Sequence, residues 1–84
     1  MANIIIVNEQ YYGGKICSEK SCQMIIKIGN QPNVTYNNIT LEEALKFILS
    51  HNELISVITS SQKIHKFLVD KIDFYNIELQ LRVS

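Results

Sequence analysis

The sequence predicts an α/β fold: one mixed five-stranded sheet with two helices, in the order β-β-β-α-β-α-β. Three observations carry this expectation. An unbroken β-branched run, Ile4 to Val7, opens the chain, as in a strand buried on both faces. A capping box followed by apolar residues at helical spacing starts at Thr40. From residue 54 to 83 the pattern runs strand, helix, strand. That last stretch is one βαβ unit, which implies parallel strands joined by a right-handed crossover.

Element by element, Asn3 to Asn8 reads as the first strand. Gln10 to Cys22 is polar and holds Gly13-Gly14, so it reads as a loop or hairpin. Gln23 to Ile28 is the second strand, and Gly29-Asn30-Gln31-Pro32-Asn33 is a turn. Val34 to Asn38 is a short third strand near an edge. In the first helix Thr40 and Glu43 form the T-x-x-E box. Leu41, Ala44, Leu45, Ile48 and Leu49 share its apolar face, and it stops near His51-Asn52. Leu54 to Ile58 is the fourth strand. Thr59-Ser60-Ser61 offers N-caps for a second helix, whose apolar face is Ile64, Phe67, Leu68 and Ile72. In the last strand Ile77, Leu79, Leu81 and Val83 alternate with Glu78, Gln80 and Arg82, the pattern of a half-buried strand.

The 84 residues fit a single domain, residues 1 to 84. Such a chain buries only about two-thirds of its unfolded surface, so a partner subunit would add stability. Eight basic and eight acidic residues cancel, which argues against a general nucleic-acid binder. An apolar fraction of 46% against 19% charged excludes a disordered chain. The longest apolar run near the start is too short for a membrane span or a signal core, so the expectation is a cytoplasmic protein away from membranes. The patterns Asn33-Val34-Thr35 and Asn38-Ile39-Thr40 match the glycosylation signal, but in a cytoplasmic protein they are chance matches. Cys17 and Cys22 are not expected to pair in a reducing compartment. Two thiolates make half a zinc site, and neither His51 nor His65 lies at a ligand spacing from them, so no metal or cofactor is expected.

The turn Thr59-Ser60-Ser61-Gln62-Lys63 is the best candidate for chemistry. A helix N-terminus presents free N–H groups and a partial positive charge to phosphate, and three hydroxyls and a lysine add to it. Ligands collect beyond the carboxyl ends of parallel strands, which would bring Asn8 to the same rim. The plainer reading, and the commoner one for such turns, is a helix cap. Glu42 and Glu43 complement the first helix dipole rather than forming a catalytic pair. His51 suits a helix C-terminus, and His65 reads as a flank or surface residue. Tyr11-Tyr12-Gly13-Gly14 either closes over a base or partner or packs on the sheet. No dinucleotide fingerprint, Walker loop, zincin motif or nucleophile elbow occurs.

Four segments together carry a resemblance. Ile6-Val7-Asn8 is similar to a first strand ending in L-N, and Ile39-Thr40-Leu41-Glu42-Glu43-Ala44 to an I-S-V-E-E-A helix start. The stretch Ser56 to Ile64 corresponds to S-A-I-G-H-E-x-T-A, and Asn76-Ile77-Glu78-Leu79 to N-R-I-E-I. In this order they resemble the viral ring nucleases, anti-CRISPR proteins that destroy the cyclic tetra-adenylate made by type III systems. The match covers residues 4 to 8 and 34 to 81, with residues 9 to 33 as an insertion. It breaks at the chemistry. The family's catalytic histidine falls on Ser60, the glycine before it on Thr59, and its later arginine and glutamate have no counterpart before Ser84.

The resemblance implies a homodimer with the ligand across its two-fold axis. It implies a protein that binds a cyclic nucleotide without cutting it, blunting host defence in the host cytoplasm. Asn8, Thr59, Ser60, Ser61 and Lys63 are the expected ligand contacts, and no catalytic residue is assigned. One alternative is an interaction protein that blocks a host protein through the 9–22 loop or a sheet edge. Another is a ring nuclease with rebuilt chemistry, using His51 or His65 as the acid.

Overall fold

The computed structural model describes residues 3–12, 15–16, 22–51, 54–72 and 77–82. The strands are β1 (Asn3–Glu9), β2 (Tyr11–Tyr12), β3 (Lys15–Ile16), β4 (Cys22–Ile28), β5 (Val34–Ile39), β6 (Ile55–Thr59) and β7 (Ile77–Leu81). The helices are α1 (Leu41–Leu49) and α2 (Gln62–Lys71). Five strands form a mixed sheet in the order β5-β4-β1-β6-β7, the expected α/β class. The expected loop or hairpin contains the small antiparallel pair β2–β3, which belongs to a second sheet. Gly13-Gly14 and Cys17 lie outside the described residues.

The run of β-branched residues that starts the chain becomes the centre of the sheet. β1 pairs antiparallel with β4 and parallel with β6, and β6 pairs parallel with β7. The βαβ expectation for β6-α2-β7 therefore holds. The β1–β6 pairing adds a second parallel contact between strands far apart in sequence. β5 takes an edge, as its short polar sequence suggested. β4 starts one residue earlier than the expectation, and its register with β5 shifts between Cys22 and Met24. The positive φ of Gly29, +54°, explains a glycine directly after β4, since a Cβ is strained there. Asn38, at φ 61° in the edge strand, is the residue type that tolerates this conformation best after glycine.

Each helix begins where its chemistry predicts. Thr40 Oγ1 accepts the Glu43 N–H at 3.1 Å, the threonine half of the capping box. Ser61 is the residue of the Thr59-Ser60-Ser61 trio that caps α2, its Oγ accepting the Lys63 N–H at 3.2 Å. Ala44 and Ile48 of α1 and Ile64 and Leu68 of α2 are buried. They join Ile5, Val7, Cys22, Met24, Ile26, Ile55 and Val57 in one core. Both helices thus cover one face of the sheet. Side chains alternate along strands, so Ile4, Ile6, Ile25 and Ile58 point to the other face, where they are only half-buried. Leu41, Leu45, Leu49 and Phe67 pack at the core's margin. Leu54, expected inside the fourth strand, precedes it and is 66% exposed.

Candidate functional site

The parallel strands β1, β6 and β7 end together and form a rim. The ladder continues one step past them: Ser60 N–H donates to the Val7 carbonyl at 3.3 Å, and Arg82 N–H donates to the Thr59 carbonyl at 2.8 Å. These bonds hold the β6–α2 turn beside the end of β1. α2 then rises from the rim with its N-terminus next to β1.

Alternation decides which β1 side chain meets that turn. Val7 faces the helices and is fully buried, so Glu9 shares its face and Asn8 does not. The Ser61 hydroxyl donates to Glu9 Oε1 at 2.6 Å. That length belongs to hydrogen bonds with an ionised acceptor. The first turn of α2 has no acidic residue of its own. A carboxylate 52 positions away in sequence supplies the negative charge that a helix N-terminus favours. Glu9 is the rim residue that the sequence reading missed. Counting by two from buried Val7 to the strand end is the signal that finds it.

The five expected contacts do not form one cluster. Ser60 is exposed at the turn, Ser61 is half-buried between Glu9 and the Lys63 N–H, and Lys63 is exposed in the first turn of α2. These three lie together. Thr59 is fully buried, and its hydroxyl donates to the Gln80 carbonyl at 3.4 Å; it pins β6 to β7 under the turn. Asn8 lies on the opposite face, its Nδ2 donating to Gln23 Oε1 at 3.4 Å. Gln23 Nε2 in turn donates to Asn37 Oδ1 at 2.9 Å, so Asn8 heads an amide ladder across β1, β4 and β5.

The two histidines are unequal. His51 closes α1 as expected, its Nδ1 3.1 Å from the Phe47 carbonyl oxygen and its ring 4.9 Å from that of Phe47. It precedes β6, whose five residues separate it from the rim by roughly 16 Å. His65 sits four residues after Ser61, about 6 Å along the helix. Its Nδ1 is buried and has no hydrogen-bond partner. Of the two, only His65 is near the turn.

Cys22 carries a free buried thiol. Burial, and secondarily the nearby Glu43 carboxylate, push its pKa from 9.0 up to about 11, so it is a packing residue rather than a nucleophile. Cys17 lies outside the described residues. Among the described residues, no three His, Cys, Asp or Glu side chains are grouped for a metal ion. Among them too, no helix is long and apolar enough to cross a membrane. Comparison with known proteins finds no matching family model, curated protein or solved structure.

Proposed function

We propose that this chain is a non-catalytic binding protein that sequesters a cyclic oligonucleotide messenger, and that it counters nucleotide-activated defence from the cytoplasm of a host cell. The observation that supports this reading is the Glu9–Ser61 bond. It brings the N-terminus of α2 and the end of β1 into one rim. There an acceptor and a cluster of donors lie side by side, beyond the carboxyl ends of parallel strands.

A nucleotide needs both kinds of group. Its phosphate takes a hydrogen bond from the Ser60 hydroxyl and charge from Lys63, beside the α2 N-terminus that Glu9 already holds through Ser61. Its ribose hydroxyls or base amine donate to a carboxylate, the part given to Glu9. Thr59 and Asn8 drop out as contacts. Sequestration without cleavage rests on the resemblance, which sets Ser60 where the ring nucleases carry their catalytic histidine, because the leaving oxygen of a phosphodiester needs an acid whose pKa is near neutral. Serine is not such an acid. A rebuilt nuclease would have to use His65.

Lys63→Ala should weaken ring binding by about 1–3 kcal/mol, and the loss should shrink as salt rises, because an exposed ammonium is screened. Calorimetric titration with cyclic oligoadenylates reads both effects. Equal affinity in the variant removes this rim as the binding site.

One observation favours a second reading, a protein blocker. β5 is an edge strand exposed over residues 34–38, and Val34 and Tyr36 are each 45% exposed on it. Such an edge accepts a strand from a partner. That reading requires a protein target and no nucleotide.

A further inference from the structure

We propose that the edge of β5 and the adjoining flank of α1 dock an extended peptide segment of a partner protein, which adds antiparallel to β5 and carries a basic residue two places before an apolar one. This inference rests on the reading of β5 as a docking edge and not on the nucleotide rim.

An edge strand offers backbone N–H and C=O groups along its outer side, and proteins usually guard it with charge or proline. β5 and β7 are the two edges of the sheet. β7 is guarded, since it carries Glu78 and leads into Arg82, both exposed. β5, Val34 to Ile39, holds no charged residue and no proline, and among the described residues it pairs only with β4. Its ladder is interrupted near its end, where the register shifts and the Asn38 N–H donates to Gln10 Oε1. Before that point Val34, Thr35 and Tyr36 pair in regular register with Ile26, Ile25 and Met24. Their outer side therefore has the geometry that a further strand needs.

Val34 and Tyr36 face the helices, because their partners Ile26 and Met24 are core residues, yet each is 45% exposed. Beside them α1 presents a column of its own. Glu43, Phe47 and His51 lie four residues apart, on one side of the helix. The Phe47 ring is 6.5 Å from that of Tyr36 and 4.9 Å from that of His51, which sets the column along the β5 edge. Glu43 is exposed and acts on the thiol of Cys22, which is level with Ile39 at the end of β5. Four helical residues rise about 6 Å, and two strand residues span about 6.6 Å. Successive inward side chains of an added strand thus meet Glu43 first and then Phe47 with Tyr36. The first position takes a basic side chain by charge complementarity, and the second an apolar one. The column runs from the end of β5 toward its start, so the order basic then apolar belongs to an antiparallel strand. A second copy of the chain is a poorer occupant, because its β5 brings no basic residue to Glu43.

The probe is a blocked heptapeptide, acetyl-TKTFTVT-amide, titrated into the isotope-labelled full chain and followed by NMR. Amide shifts should concentrate in β5 and α1, with slower hydrogen exchange between Val34 and Tyr36. Replacing the peptide's lysine by glutamate should weaken binding about three- to tenfold at low salt, and Glu43→Lys should reverse that preference. Tyr36→Lys, which puts a charge on the edge, should abolish the shifts. Val69→Lys, on the 47% exposed outer side of α2, should leave them. Circular dichroism checks that each variant is folded. A peptide that binds β5 without regard to its charge, a preference that survives Glu43→Lys, or equal binding of the reversed sequence overturns the inference and leaves β5 as a docking edge. No shift in β5 from any of these peptides at millimolar concentration, or a β5 already paired with that of a second copy, overturns both.

Discussion

Replacing Glu9 by Gln and Ser61 by Ala, singly and together, isolates the contact that builds the rim. The 2.6 Å bond between the Ser61 hydroxyl and the Glu9 carboxylate is of the charge-assisted kind, worth about 1.5–3 kcal/mol in a folded protein. Glutamine keeps an acceptor but loses the charge, about half of that strength, together with about 0.3–1 kcal/mol of favourable interaction with the α2 dipole. Glu9→Gln should therefore cost about 1–2.5 kcal/mol. Ser61→Ala loses the same bond and also the cap to the Lys63 N–H, about 0.5–2 kcal/mol more. Each kilocalorie lowers the melting temperature of a domain this size by about 4–8 °C. The double variant should lose less than the sum of the singles, by about 1 kcal/mol, because each single change already breaks the shared bond. Urea unfolding of the four proteins measures the coupling. Losses that add to within about 0.3–0.5 kcal/mol, the scatter of independent sites, would show that Glu9 and Ser61 do not act on one another.

Other consequences concern the core and the thiol. Ile48→Ala, at a fully buried position, should cost about 2–5 kcal/mol, and Leu45→Ala, only half-buried, about half as much; equal losses would misplace the face of α1. Thr59→Val should leave ring affinity unchanged and cost less than about 1.5 kcal/mol in stability, the worth of an ordinary hydrogen bond; a large affinity loss would return Thr59 to the ligand contacts. The raised pKa of Cys22, about 11 against 9.0, means that the folded chain holds its proton where the unfolded chain has lost it. That contribution to stability is complete below pH 9 and is lost as pH rises from 9 toward 11. In a Cys17→Ser background, Cys22→Ala should flatten the fall in melting temperature over that range, and an unchanged slope would mean the thiol ionises alike in both states.

The parts of the fold that rest on local chemistry were legible in the sequence. Thr40 and Glu43 mark the start of α1 because a cap is a matter of three residues. The spacing of Ile64, Leu68 and Ile72 orients α2 for the same reason, and the alternation from Ile77 to Leu81 reads directly as a half-buried strand. What escaped depends on partners distant in the chain. Nothing near Ile4 to Val7 says that β1 lies between β4 and β6, because that placement comes from pairings across the whole chain. Asn8 ends the apolar run and so looked like the rim residue. β1 continues to Glu9, and a strand turns each next side chain to the opposite face, so the carboxylate and not the amide reaches α2. Thr59 and Ser60 are neighbours in one turn, yet the last inward position of β6 buries the first and exposes the second. Hydroxyls in sequence do not reveal which one a strand points into the core.

The most direct test of the account is to incubate the wild-type chain with cyclic di-, tri-, tetra- and hexa-adenylates. The protein is then separated from free nucleotide, and what it retains is identified by mass spectrometry. Retention of one ring, recovered intact and uncut after long incubation, is the predicted result. Rapid conversion to linear product would contradict the sequestration account, and retention of no ring would leave the exposed β5 edge and a protein target in its place.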